Sequence, residues 1–210
     1  AVSEDMMPEE TRLVLTSVNA RARQFNEQQL AQLPGELWSF DAEVNGDWLE
    51  NDSQLPSPTE LRLKVDAQVM FTKNGEDWVN GSLGRVVSIA EDVIEIELLS
   101  DADAGKHVFV ERESWERYRY QWDEKRRRVD TESVGTYTQF PFILAWAVTV
   151  HKAQGLTLEH VRIDLGRGMF EPGQAYVALS RCRTLDGISF NRALSISDIK
   201  CDPVIQAFYQ

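Results

Sequence analysis

The sequence predicts an α/β protein: one α/β domain interrupted by a β-rich module at about 61–137 of its 210 residues. Three observations predict it. A strand–helix–strand pattern opens the chain, a glycine-punctuated run of short strands follows, and an α/β rhythm returns after Phe140-Pro141. Apolar residues make up 42% and charged residues 27%, enough to build a core and unlike a disordered chain.

In the first segment, residues 12–16 (RLVLT) are short, apolar and β-prone. Ser17 to Asn19 offers a cap, and 20–33 carries apolar positions at Ala22, Phe25, Leu30 and Leu33 before Pro34-Gly35 stops the helix. Residues 36–44 alternate as a strand does, and 45–58 read as a polar loop. In the module, Leu61, Leu63 and Val65, continuing to Val69–Phe71, have period two. Gly75, Gly81 and Gly84 mark turns, and 85–89 with 93–99 form a hairpin pair; 107–110 and 115–122 add strands. Short strands at close spacing indicate a small barrel or sandwich. Beyond it, 142–150 is apolar, 161–165 a strand, 174–183 a helix and 187–190 a short strand.

Lys and Arg number 22 against 34 Asp and Glu, a net charge of −12. That argues against a sequence-independent nucleic-acid coat, which would be basic overall, but leaves room for a local basic groove. The two cysteines, Cys182 and Cys201, and three histidines have no metal-site or disulfide spacing, so a reducing compartment is expected and no metal. No apolar run approaches the ~20 residues of a membrane span. The acidic N-terminus does not read as a signal peptide. A soluble, cytoplasmic protein is expected, nucleoid-associated if bacterial.

The phosphate loop G-x-x-x-x-G-K-[ST] is absent, as are G-x-G-x-x-G, H-E-x-x-H and G-x-S-x-G. Two other segments concentrate chemistry. In the first, Thr149, His151, Lys152 and Gln154 crowd polar donors into six residues after an apolar stretch, followed by Gly155, where backbone approaches a ligand closely. Such donors suit phosphate oxygens; a helix with a polar end and a glycine cap is the equal structural reading. In the second, Ala175, Ala178, Leu179 and Cys182 share a helical face. Arg181 and Arg183 lie near its C-terminal end, where cations also favour the helix dipole.

Together, Thr149-Val-His151-Lys152-Ala-Gln154-Gly155-Leu-Thr157 and Tyr176-Val-Ala-Leu-Ser180-Arg181 resemble motifs V and VI of the Pif/RecD-type superfamily 1 DNA helicases. Residues 61–74 and 78–86 are similar to that family's approach to a small SH3-like barrel, and residues 15–35 to its motif IV region. The resemblance runs from about Thr11 to the C-terminus. It implies a RecA-like (P-loop NTPase-type) second motor domain, 2A, at 11–60 and 138–210, with an SH3-like barrel, 2B, inserted at 61–137. The Walker motifs belong to a preceding RecA-like domain 1A, the expected partner of this chain. Alone, the chain is expected to be monomeric and neither to turn over ATP nor to bind it tightly.

By the same resemblance Arg181 is the arginine finger, with Arg183 a weaker candidate. Gln154 and Gly155 lie near the nucleotide, with ATP and Mg2+ the cofactors of the full-length enzyme. Ser17, Asn19, Thr149, His151 and Lys152 face single-stranded DNA. Tyr176 reads more naturally as core. In the module, Arg117, Arg119 and Lys125–Arg128, interleaved with Tyr118, Tyr120 and Trp122, suit stacking plus charge on a single strand; a solvated hairpin is the alternative, with Trp115 and Trp122 as core. The implied activity is ATP-driven translocation on single-stranded DNA, 5′-to-3′ by analogy, in repair or recombination. The alternatives are a non-catalytic DNA- or protein-binding module derived from a helicase, and a relay subunit of a recombination machine.

Overall fold

The computed structural model describes residues 13–48, 55–99, 105–124, 127–166, 168–169 and 171–208. The chain divides into two compact units, one from Ala1–Gln32 with Ala145–Gln210 and one from Leu33–Leu144.

The first unit is mixed α/β around a parallel sheet. β1 (Leu13–Thr16) is followed by α1 (Asn19–Gln32). After the second unit come β12 (Ala147–Thr149), β13 (Val161–Asp164), α2 (Gln174–Leu179), β14 (Ile188–Phe190), a 3-10 turn at Ile196–Asp198 and α3 (Pro203–Phe208). The strand order is β12-β1-β13-β14, with every neighbouring pair parallel. All four residues of β1 are buried, as a central parallel strand requires, which is why it reads as an unbroken apolar run. Helix α1 lays Ala22, Asn26 and Leu30 inward at a four-residue repeat, and Ala22 packs with Val14, Ala147 and Phe25.

Asn26 is the polar member of that stripe. Its amide donates to the Ala147 carbonyl at 2.8 Å, and its carbonyl accepts the Ala147 N–H at 2.7 Å. The side chain therefore pairs with β12 as a further strand would.

At the C-terminal end, Asp198 is buried to 1% exposure and accepts both Arg192 guanidinium nitrogens (2.6 and 2.8 Å), the Ser195 N–H and the Ser195 hydroxyl. These bonds, Arg192 first, hold its carboxyl well below the usual carboxylate range. A depressed folded-state pKa means its stabilisation is complete above the unfolded value of about 3.9 and is lost as pH falls further. Hydrogen-exchange protection in 192–199, taken relative to the intrinsic exchange rate at each pH, should therefore fall on acidification below about pH 4. The same measurement on Asp198→Asn should show that step removed; an identical acid response in both chains would refute it.

The second unit is built of β2 (Trp38–Asp41), β3 (Glu43–Gly46), β4 (Glu60–Leu63), β5 (Gln68–Phe71), β6 (Leu83–Ile89), β7 (Ile94–Leu98), β8 (His107–Val110), β9 (Glu113–Asp123), β10 (Arg128–Gln139) and β11 (Phe142–Leu144). They form sheets of order β11-β5-β6-β7-β8, β3-β10-β9 and β2-β4, antiparallel throughout. Tyr137, Phe71, Phe140 and Phe142 are fully buried at its centre. The Tyr137 hydroxyl donates to the Ser57 carbonyl (2.8 Å), and the Ser57 hydroxyl donates to the Phe142 carbonyl (2.9 Å).

The seams differ from the expected 60/61 and 137/138. Residues 33–48, 55–60 and 138–144 pack with the β-rich unit, because β2 pairs with β4, β3 with β10, and β11 with β5. The expected strand at 36–44 is two strands, β2 and β3, each with its own partner. The run from Leu61 to Phe71 is likewise broken between β4 and β5, where Asp66 takes a left-handed conformation (φ 69°). Gly84 is no turn: it lies within β6, where a Cβ would come 2.3 Å from the Ile96 side chain. Among the described residues no helix is long and apolar enough to cross a membrane.

Candidate functional site

Strands β1 and β12 run parallel and end level, with Thr16 opposite Thr149. The chain leaving each therefore emerges at the same edge of the sheet. Loops and helix starts gather at the carboxyl edge of a parallel sheet, and ligands bind there. From β1 come Ser17 and Asn19; from β12 come His151 and Lys152. A bond from the Val150 N–H to the Thr16 carbonyl (2.9 Å) carries the ladder one residue beyond the strands. The Thr16 hydroxyl donates to the Val18 carbonyl (3.0 Å), which also receives the Arg21 and Ala22 N–H groups. Ser17 is half-buried and Asn19 exposed at the start of this 14-residue helix, whose leading N–H groups lack intrahelical acceptors and favour anions.

The segment after β12 is not the helix with a polar end that its sequence also allowed. It is a short strand followed by successive tight turns. Thr149, one of the residues the resemblance assigns to single-stranded DNA, is buried to 5% exposure. Its hydroxyl accepts the Lys152 N–H (3.4 Å) and its carbonyl the Ala153 N–H (3.0 Å), which fixes the first turn. His151 is exposed, with Nε2 3.5 Å from the Glu171 carboxylate. Lys152 is exposed as a residue, yet crowding around its ammonium, and secondarily the Arg23 charge, push its pKa below the usual lysine value. Gln154 is exposed. Gly155 has φ +89°, and a Cβ there would meet nothing within 4 Å, so backbone conformation and not close approach reserves the position for glycine.

Helix α2 ends at Leu179, earlier than the expected 183, so Arg181 and Arg183 lie beyond it. Arg181 folds back: Nε donates to the Val177 carbonyl (3.1 Å), Nη1 to the Leu156 carbonyl (3.3 Å) and Nη2 to the Ser180 hydroxyl (2.9 Å). Leu158 donates its N–H to the Arg181 carbonyl (2.8 Å) and accepts the Arg183 N–H (3.0 Å). The two signature segments thus meet through their main chains. Arg183 pairs with Glu159 at 2.7 Å on the surface. Tyr176 is 75% exposed, contrary to a core role, because α2 turns Ala175 and Ala178 inward instead. Among the described residues no group of three His, Cys, Asp or Glu side chains is placed to hold a metal ion.

In the other unit, β9 and β10 form a long hairpin. Arg117 and Arg119 turn toward Asp47, at 3.1 and 3.4 Å. Trp115 is half-buried against Tyr137 under the Lys73 ammonium, while Trp122 is exposed and no part of the core. Arg127 and Arg128 are exposed, Arg128 beside Asp130 (2.7 Å); Lys125 and Arg126 lie outside the described residues.

The human ATP-dependent DNA helicase PIF1 is 35% identical over 194 residues, which span 88% of this chain and 28% of that protein. Unliganded Pif1 from Bacteroides sp. superposes with a TM-score of 0.81 at 32% identity, over 94% of this chain and 44% of that one. The chain belongs to the Pif1 family of DNA helicases. Bacteroides Pif1 bound to ssDNA also matches, with a TM-score of 0.73 at 31% identity over 98% of this chain and 46% of that one. The chain thus spans less than half the length of each of these Pif1 relatives. No protein-family model matches it.

Sequence reasoning overlooked Asn26, which ties the Pif1-like signature strand β12 to α1, and Arg23, whose charge acts on Lys152. Both sit in a helix where polar residues read as a solvated face. The only signal was the position of Asn26 four residues from both Ala22 and Leu30.

Proposed function

We propose that the chain supplies the DNA-facing and nucleotide-triggering part of an ATP-dependent helicase motor that moves 5′-to-3′ on single-stranded DNA. The parallel-sheet unit is its second RecA-like domain, and the β-rich unit is the inserted SH3-like barrel. The observation that carries this reading is the shared carboxyl edge of β1 and β12, which delivers Ser17, Asn19, His151 and Lys152 side by side. Helix-start N–H groups, an imidazole and an ammonium are the donors that position a nucleic-acid backbone without reading its sequence. Thr149 serves from beneath by fixing the turn. Crystal structures of Bacteroides Pif1 bound to ssDNA and in complex with ADP-AlF4 support both ligand classes.

Arg181 is assigned as the arginine finger, with Gln154 and Gly155 beside the nucleotide. Its guanidinium carries five N–H donors, of which the folded-back contacts use three, and a permanent charge suited to phosphoryl oxygens. The donor set of this edge fits ATP phosphates. It holds no grouped carboxylates for Mg2+, whose ligands are assigned to the partner domain 1A. ATP with Mg2+ supplies the hydrolysable bond when bound; these residues orient and neutralise.

Single-stranded DNA affinity across a salt series tests the edge. His151→Ala with Lys152→Ala should weaken binding and flatten the dependence of log K on log salt by about 0.7 for each phosphate no longer neutralised. Parent-like affinity and slope in the double variant would remove these residues from the DNA surface.

A further inference from the structure

The β9–β10 hairpin carries an aromatic surface that the fold leaves open. Alternation along β9 puts Tyr118, Tyr120 and Trp122 on one face, opposite Ser133, Thr131 and Val129 of β10. Tyr120 is 70% exposed, Trp122 61% and Tyr118 48%. The small side chains across the ladder cannot cover the rings. A single exposed aromatic is ordinary; three in register on one strand face form a continuous apolar strip, the kind of surface that marks an interaction site.

The spacing points to a class of ligand. Same-face positions on a strand repeat about every 6.6–6.8 Å. Stacked bases and rings are each about 3.4 Å thick, so each step admits one base between neighbouring rings. In a duplex each base face is covered by the stacked pair above or below and the strand is held by its partner, so a duplex cannot enter such a ladder; an unpaired strand can splay its bases to do so. Of the nearby cations, Arg127 lies exposed at the tip of the hairpin, whereas Arg117 and Arg119, turned toward Asp47, and Arg128, beside Asp130, alternate onto the opposite face. The neighbouring Glu116 carboxylate raises the Tyr118 pKa above that of free tyrosine.

Building on the single-stranded DNA reading, we propose that Tyr118, Tyr120 and Trp122 form a stacking ladder that takes consecutive unpaired bases, with Arg127 at the hairpin tip meeting an adjoining phosphate. The ladder is sequence-tolerant, because every base has a π-face. It is distinct from the parallel-sheet edge, which handles the backbone.

The test compares binding of the chain to a 12-nucleotide oligothymidylate and to an abasic strand of equal length and charge, by fluorescence anisotropy. The parent chain should prefer the strand with bases by about tenfold or more, and Tyr120→Ala with Trp122→Ala should abolish that preference while leaving abasic binding unchanged. Tyr120→Phe with Trp122→Phe, which keeps flat rings, should restore it. Trp122 fluorescence should be quenched by oligothymidylate and not by the abasic strand. An unchanged preference in the alanine variant overturns the ladder and leaves the DNA reading standing. Failure of the parent to bind either strand overturns both. Self-association that the alanine variant abolishes, with DNA preference intact, assigns the strip to a second copy of the chain and overturns the ladder.

Discussion

Replacing Arg181 with alanine is expected to lower DNA-stimulated ATP hydrolysis by the whole helicase on the order of 10³-fold, with little change in nucleotide affinity. A finger acts on charge that develops as the phosphoryl group transfers, so its loss falls on turnover. Lysine should not rescue. An ammonium is a point charge on a flexible stem, whereas Arg181 holds the Val177 and Leu156 carbonyls and the Ser180 hydroxyl with separate nitrogens of one rigid plane. Those contacts also supply the competing account, in which Arg181 is a clamp that closes the end of α2 on the 156–158 segment. A clamp predicts a lowered melting temperature with a normal rate per folded molecule; a finger predicts a collapsed rate in a chain that still melts as one folded protein. Measuring ATPase rate and melting on the same alanine and lysine variants decides. A normal rate refutes the finger.

Asn26→Leu should destabilise the parallel-sheet unit by roughly 2–6 kcal/mol, since it strands a buried N–H and a buried carbonyl of Ala147 at about 1–3 kcal/mol each. Leucine keeps the branched heavy-atom outline of asparagine though it is bulkier, so Asn26→Ala, which removes the bonds without added bulk, should show the same local loss of protection. β12 is also the outer strand of its sheet, and Asn26 occupies its outward-facing pair of groups. Exposed strand edges template association, so the variant should aggregate more readily than the parent. Hydrogen exchange at β1 and β12 amides reads the effect locally. Parent-like protection in Asn26→Leu would show that the side-chain pairing contributes nothing.

The sequence made local structure legible where one face or one turn decides it. The buried strand 13–16, the helix behind it and the 83–98 hairpin lie where patterning put them. Pairing between distant segments was not legible. β3 and β10 meet across some ninety residues, and neither carries an apolar run that marks its partner, so residues 33–60 read as part of the first domain. β10 starts in a basic run and continues through polar TESVGTYTQ, with Tyr137 its sole fully buried ring. At the site, the crowding of Thr149, His151, Lys152 and Gln154 was visible, but division of labour was not. Burial of Thr149, exposure of Tyr176 and the inward turn of Asn26 depend on which face the sheet covers.

The bonds joining Leu158 to Arg181 and Arg183, together with the Arg181 fork on Leu156, leave only Gly155 and a few turn residues between the His151–Lys152 corner and the arginine. The path between the two ends is short and hydrogen-bonded at Leu156 and Leu158, so a rearrangement at one end has few residues over which to dissipate. In thermodynamic terms the two ends share a coupling free energy, and that energy has no direction. Under the proposed roles, whatever factor by which a bound strand tightens nucleotide at Arg181, nucleotide would tighten the strand at His151 and Lys152 by the same factor. A motor of the proposed kind, built on this tether, would grip and release its track in step with the phosphate state of its fuel through this short path of main chain.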